Sequence, residues 1–270
     1  MRTRVDRAGL DSHVRDLARQ MFFSNATIDA FLEGASASDA RAVEALLSEE
    51  LESRARNKRK RLLNRARFPK IKSFEGYDFS QVSFPEGYGP EDLKSLRFLD
   101  PAEGFVFYGK TGRGKTHLAT AIGVKAVSEG RSVRFHSTAD LVMRLERAQG
   151  EGSLDRALRD ATSADLVILD EFGYVPIDVA GARILFQVVS DCYERRSLIV
   201  TTNIEFSKWG TVLGDDKLAA AMIDRIVLHS RLIDFLGSSH RMDTALLFGE
   251  EGSQECDGVK GGDAEGTEGK

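Results

Sequence analysis

Apolar and polar positions change rhythm along the chain. Between Val14 and Leu63, apolar residues recur at mixed three- and four-residue steps (Leu17, Met21, Ile28, Phe31, Leu32, Val43, Leu46, Leu47, Leu51). That spacing turns one face of a helix toward a core. The Ala-Ser-Ala-Ser-Asp run at 35–39 interrupts the pattern, with Ser38 or Asp39 expected to cap the next helix. Pro69 is expected to end that helix or begin a linker. Phe74, Tyr77, Phe79, Phe84 and Tyr88, interleaved with prolines and glycines, form an aromatic connector. From about residue 96, short apolar runs at 105–108, 132–136, 166–169, 198–202 and 232–236 alternate with helical segments. Buried parallel strands with helical crossovers read this way. An α/β architecture follows, with a central parallel sheet and flanking helices. No internal repeat is visible.

Composition sets the limits. The 270 residues are 41% hydrophobic and 30% charged, which excludes disorder of the whole chain. Length allows one domain of about 200 residues with an appendage, or two small domains. No apolar run approaches the roughly 20 residues of a membrane-spanning helix. Residues 1–7, Met-Arg-Thr-Arg-Val-Asp-Arg, lack an apolar signal core, so a cytoplasmic location is expected. Cys192 and Cys256 are far apart and the histidines are scattered. Neither a disulfide framework nor a zinc site is expected.

The net charge of −4 conceals two opposed segments. Residues 249–270 hold seven acids, two lysines and seven glycines, the composition of a disordered tail. It serves either as a solubilising end or as a competitor for a basic surface. Residues 54–72 are the opposite: ten of these nineteen are Lys or Arg and none is acidic. Such a run is either a solvated helix face or a track for nucleic-acid phosphates. Arg56, Arg59 and Lys60 are spaced to share a face. No helix-turn-helix or zinc-finger pattern accompanies them.

Candidate chemistry begins at Gly109-Lys110-Thr111-Gly112-Arg113-Gly114-Lys115-Thr116, followed by His117. The run matches the P-loop pattern in full, after an expected strand and before an expected helix over 117–126. Its glycines allow successive N–H groups to face one anion at a helix N-terminus. Lys115 is placed to reach the β- and γ-phosphates of a nucleotide, and Thr116 to ligate Mg²⁺. The bland alternative is a glycine-rich turn before Lys-Thr. A second motif, Leu166-Val-Ile-Leu-Asp170-Glu171, is a buried strand ending in two acids. Asp170 at the carboxyl edge of the sheet suits Mg²⁺, and Glu171 suits proton abstraction from water. The pair could instead be a helix cap and a first-turn acid. A base for water favours hydrolysis over transfer to another acceptor, and no acceptor-binding segment of a kinase is apparent.

Two further positions are weaker on their own. Asn203 ends the run Leu198-Ile-Val-Thr-Thr and can orient water or meet a γ-phosphate, or simply end a turn. Arg225, in the helical stretch Ala219-Ala-Ala-Met-Ile-Asp-Arg-Ile-Val-Leu, is either half of an Asp-Arg surface pair or an arginine supplied to a neighbour's phosphoryl transition state.

Together these residues resemble the IstB family, ATPases encoded beside the transposase in one group of bacterial insertion sequences. IstB is similar to the helicase loader DnaC, within the AAA+ group. The resemblance runs from about Leu46 to Arg241 and includes Arg65-Ala-Arg-Phe-Pro69, the P-loop, and Asp170-Glu-Phe-Gly-Tyr-Val-Pro176. Phe206-Ser-Lys-Trp-Gly210 and Asp224-Arg225-Ile226 extend it. It departs at Lys110-Thr111, where the family has Pro-Pro, and at His240-Arg241, where it tends to have Tyr-Arg.

The resemblance implies an AAA+ core without the usual C-terminal lid, behind a small helical N-terminal domain. The expected divisions are 1–73, 74–248 (connector 74–95) and the tail 249–270. It implies ATP with Mg²⁺, Asp170 and Glu171 as the Walker B pair, Asn203 as sensor 1, and Arg225 as an arginine finger acting in trans within a homo-oligomer. It implies binding to double-stranded DNA with little sequence preference, and an IstA-type transposase as partner. Initiator-type relatives grip DNA with an inserted helix, and 139–159 occupies that place, offering Arg144, Arg147, Arg156 and Arg159. The alternative is a DnaC-type replicative helicase loader. A clamp that binds ATP as a switch without hydrolysis is a third reading, and Glu171 argues against it.

Overall fold

A computed structural model describes residues 7–237. The expectations for the tail, for Arg241 and for the absence of a lid lie outside the described residues. Three helices come first: α1 (Arg7–Gln20), α2 (Asn25–Gly34) and the 30-residue α3 (Ala37–Ala66). Leu10, Val14 and Leu17 of α1 close on Ile28 and Leu32 of α2 and on Ala40 and Leu47 of α3. The three- and four-residue spacing of the sequence therefore becomes a small core of its own. Ser36, rather than Ser38 or Asp39, caps α3. Its hydroxyl accepts the Asp39 N–H at 3.2 Å, while the Asp39 carboxylate accepts the Ser36 N–H at 2.9 Å. Asp39 is thus the third-position acid of a capping box.

The remaining elements are β1 (Val82–Ser83), α4 (Pro90–Lys94), β2 (Gly104–Tyr108), α5 (Lys115–Ser128), β3 (Val133–Ser137), α6 (Thr138–Gly150), α7 (Leu154–Thr162), β4 (Leu166–Phe172), α8 (Val179–Cys192), β5 (Ser197–Thr202), α9 (Trp209–Leu213), α10 (Asp216–Leu228) and β6 (Ser230–Phe235). The sheet order is β1-β6-β2-β5-β4-β3, parallel except for the antiparallel edge strand β1. Strand alternation sorts the core into two layers. Phe105, Phe107, Leu166 and Ile168 face α4, α5 and the end of α3. Val106, Val167 and Leu169 face α6, α7, α8 and α10. A one-residue slip would exchange these sets, so burial on both faces fixes the register. Each fully buried Phe or Leu contributes about 1.5–3 kcal/mol.

Two features position the site. First, β5 lies between β2 and β4, so its carboxyl end emerges between the P-loop and Asp170. Second, α3 does not stop at the small helical core. Its last turn reaches the sheet, where Leu62, Leu63 and Ala66 join the α5-side layer. The buried Arg134 of β3 donates to the Arg65 carbonyl at 3.1 Å and pairs with Asp160 at 3.0 Å, capping that helix end. Arg67 takes the left-handed conformation (φ 60°, ψ 40°) that turns the chain away, just ahead of Pro69. Phe68 then packs edge-on against Phe135 at 6.0 Å and carries the connector toward the P-loop.

Candidate nucleotide-binding site

The loop between β2 and α5 coils around a single point. Gly109, Gly112 and Gly114 have φ of 146°, 84° and 86°, values that disfavour any residue with a side chain. A Cβ on Gly109 would lie 2.5 Å from the Phe235 carbonyl oxygen, so that position is closed sterically as well. Lys115 begins α5 and turns back into the loop, its ammonium donating to the carbonyls of Gly109 (2.5 Å) and Lys110 (2.8 Å). Arg113 donates to the Phe235 carbonyl at 2.9 Å and ties the loop to β6. Thr111 hydrogen-bonds the Tyr174 hydroxyl across the mouth. The His117 ring meets the Ser73 carbonyl at 3.0 Å.

Asp170 forms the other half. Its Oδ1 accepts from the Thr116 hydroxyl at 3.0 Å and from the Thr201 hydroxyl at 2.5 Å. The Thr201 oxygen in turn accepts the Glu171 N–H at 3.0 Å, and Thr138 donates to the Asp170 carbonyl at 2.8 Å. Burial raises the Asp170 pKa, partly offset by the two threonine hydrogen bonds and by Lys115. Glu171 sits where the β4–β5 register breaks between Leu169 and Phe172, with φ of 59°. The break turns its side chain out to solvent while Asp170 stays buried. A non-glycine residue held in that conformation next to a polar cluster is a common mark of a functional site. The Asn203 side-chain oxygen is buried without a hydrogen-bond partner among the described residues, an acceptor left for a ligand or water.

The loop from Thr111 to His117, with Glu171, Tyr174 and Thr201, borders a cleft of about 840 Å³, whereas Asp170 and Asn203 lie behind that lining. Its second wall comes from Lys70, Lys72, Tyr77 and Asp78, which the sequence did not single out for this role. Tyr77 stands 5.1 Å from the His117 ring, and burial raises its pKa, so it remains a neutral hydroxyl. Thr201 was also missed. Its signal is a hydroxyl residue inside an otherwise apolar buried run, which requires a partner.

The donor set fits Mg²⁺: one carboxylate, two hydroxyls, and room for phosphate and water oxygens, all hard ligands. Among the described residues no group of three or more His, Cys, Asp or Glu could hold a metal by itself.

Arg225 lies elsewhere. Its guanidinium stacks on Phe186 at 4.4 Å and donates to the Ala221 carbonyl at 3.2 Å. It shares a small recess with Gly104 and Leu198, at the amino ends of β2 and β5 and opposite the P-loop. It does not reach its own chain's cleft. Among the basic candidates, Arg56 is exposed but bound to Glu49 (2.7 Å) and Glu52 (3.3 Å). Arg59 and Lys60 are exposed, with no ion pair among the described residues. Arg147, Arg156 and Arg159 are exposed, whereas Arg144 is half-buried, 3.4 Å from the His136 ring.

A mostly parallel sheet with a P-loop at its carboxyl edge and a buried carboxylate on β4, the second strand away, defines a P-loop nucleotide-binding protein. Residues 19–247 match the family described as IstB-like ATP binding protein, and the chain belongs to that family. It is 39% identical over 197 residues to a Bacillus thuringiensis protein described as an ATP-binding protein of insertion sequence IS232, covering 73% of this chain and 79% of the relative. It is 37% identical over 180 residues to the corresponding IS21 protein of Pseudomonas aeruginosa, covering 67% and 68%. Among solved structures, AMPPCP-bound DnaA from Aquifex aeolicus shares the fold. Its TM-score is 0.50 at 20% identity, over 71% of this chain and 58% of that one. Among the described residues no helix is long and apolar enough to cross a membrane.

Proposed function

We propose that this chain is a DNA-binding ATPase that assists transposition. It hydrolyses ATP with Mg²⁺, assembles as a homo-oligomer on double-stranded DNA with little regard to sequence, and delivers target DNA to an IstA-type transposase in the cytoplasm. Residues 1–73 serve as the helical N-terminal domain and 74–248 as the ATPase domain. The observation that carries the ATPase reading is the chain of hydrogen bonds Thr116–Asp170–Thr201–Glu171. It joins the P-loop, the buried carboxylate and the outward-facing acid in one rigid unit.

In this reading the P-loop amides and Lys115 bind the phosphates of ATP. Thr116 and Asp170 would hold Mg²⁺, which would supply neutralisation of the phosphate charge. Glu171 takes a proton from the attacking water, and the Asn203 oxygen orients that water. Arg225, which lies away from its own chain's cleft, serves a neighbour's in this reading. Closing one copy on the next completes each site.

The test is ATP hydrolysis with and without non-specific duplex DNA over a range of protein concentrations. Stimulation by DNA that rises cooperatively with protein is the expected result. A flat rate, independent of DNA, would remove DNA-driven assembly from the account.

A further inference from the structure

The segment Phe206-Ser-Lys-Trp209-Gly210 does not line the nucleotide cleft, yet it meets the ends of both strands that deliver Glu171 and Asn203. Trp209, the first residue of α9, is fully buried. Its indole stacks on the buried Phe172, with ring centroids 4.1 Å apart at 29°. Its Nε1–H donates to the Ile204 carbonyl at 3.2 Å. Phe206 packs against the other side of the contact at 5.1 Å. Gly210 follows because a Cβ there would collide with the Asp216 carboxylate, so α9 and α10 approach too closely for a side chain at that position.

Phe172 is the next residue after Glu171, and Ile204 the next after Asn203. The two are also joined directly. Thr202 Oγ1 donates to the Phe172 carbonyl at 2.9 Å and accepts the Ile204 N–H at 3.0 Å. Trp209 closes this path into a ring, from Phe172 through Thr202 and Ile204 to the indole and back to Phe172. The Thr202 carbonyl accepts the Gly109 N–H at 3.2 Å, which fastens the ring to the first glycine of the P-loop. Such a ring answers a local need. Glu171 sits in the register break with φ of 59°, a backbone that persists only where its surroundings hold it. Phe172 re-enters the ladder opposite Thr202 immediately after the break. Gly173 then packs on Ile204, whose side chain would lie 3.2 Å from a Cβ at that position.

We propose that Trp209 is a positioning residue for ATP hydrolysis, a clamp that holds the Glu171 carboxylate and the Asn203 amide in fixed relation around the attacking water. This rests on the ATPase reading above. The base and the orienting amide stand on different strands, and their action on one water depends on a spacing that neither strand sets alone. Trp209 grips one strand end by stacking and the other by hydrogen bonding. Few side chains can do both from one position, since it takes a broad apolar face with a single donor at its rim. Phenylalanine would keep the stack and lose the donor. Thr202 works from the opposite side of the ring, where valine would keep the shape and lose both hydrogen bonds.

The test is a double-mutant cycle on the full chain. Trp209→Phe and Thr202→Val are each made alone and together with Glu171→Gln. Single-turnover phosphate release from saturating ATP is measured beside ATP affinity, with thermal melting to verify folding. Each single variant is expected to slow release by about 3- to 10-fold, the worth of one hydrogen bond, with ATP affinity changed by less than about twofold. In the Glu171→Gln background the same substitutions should cost less than about twofold, because the base they align is gone. Leu158→Ala on α7 removes a buried side chain elsewhere and should leave the rate unchanged. If Trp209→Phe does not melt cooperatively, Thr202→Val, which preserves packing, carries the cycle. A Glu171→Gln protein that releases phosphate at the wild-type rate overturns the hydrolysis reading and the clamp with it. A slow Glu171→Gln protein beside folded Trp209→Phe and Thr202→Val proteins of wild-type rate overturns the clamp alone. Equal losses in both backgrounds, or a comparable loss in Leu158→Ala, assign Trp209 to general stability and also overturn the clamp.

Discussion

Thr201→Val removes one oxygen and nearly preserves shape, so it isolates the hydrogen bonds that hold the two acids. Thr201 is buried, donates to Asp170 Oδ1 at 2.5 Å and accepts the Glu171 N–H at 3.0 Å. Two losses follow. A hydrogen bond to a carboxylate disappears, and a backbone N–H loses its partner. Bonds to charged groups contribute about 1.5–3 kcal/mol, so a net cost of about 2 kcal/mol is expected at neutral pH. For a chain of this size that lowers the melting midpoint by about 4–8 °C.

The pH dependence gives the sharper readout. Asp170 already titrates above the usual carboxylate range because it is buried. Its folded form therefore holds a proton more tightly than the unfolded chain does, a contribution present in acid and lost as pH rises through the folded value. The Thr201 bond favours the carboxylate, so removing it raises the folded value further. The variant's deficit relative to wild type should be full above that value and shrink as pH falls through it. Differential scanning fluorimetry of both proteins at about pH 7.5 and about pH 5 measures this. A drop below about 1 °C at neutral pH, or a deficit that grows in acid, would refute the reasoning. ATP turnover should also fall, since Glu171 loses the bond that fixes its backbone.

Other perturbations separate the remaining parts. Glu171→Gln should retain ATP binding while hydrolysis falls by about 10²–10⁴-fold, read by nucleotide fluorescence titration beside phosphate release. Gly109→Ala should abolish nucleotide binding and destabilise the chain, because its Cβ would lie 2.5 Å from the Phe235 oxygen at φ 146°; melting and titration together check it. His136 should titrate near pH 4 by NMR rather than near 6.5. The unfolded chain then binds the extra proton first, so stability should rise with pH between those values, by up to about 3 kcal/mol.

The parts legible in the sequence were those whose chemistry is local. Gly109 to Thr116 and Asp170-Glu171 each carry their meaning in consecutive residues, because a strand end and a helix start bring neighbours in sequence to one place. The continuous apolar runs at 105–108 and 166–169 likewise announced buried strands. What escaped depends on residues far apart. Tyr77 reaches Gly114 across 37 positions, and Thr201 reaches Asp170 across 31. Neither has a local signature beyond its type. The basic run looks different once folded. Its acid-free window begins at Arg54, yet helical geometry returns Arg54 to Glu50 and Arg56 to Glu49 and Glu52. The unneutralised part of α3 therefore starts later than the run itself. The cap of α3 shifted for a related reason: Asp39 is the acid that answers Ser36, not the first residue of the turn.

In the proposed assembly, Arg225 of another copy completes each ATP site. Lys115→Ala and Arg225→Ala proteins, each inactive alone, are mixed in equal amounts on duplex DNA and ATP turnover is measured. Interfaces pairing an intact Lys115 with an intact Arg225 make up about a quarter of the total, so about a quarter of the wild-type rate should return. No recovery in a mixture that still co-assembles, or an Arg225→Ala protein that turns over ATP at the wild-type rate, would contradict a site shared between subunits.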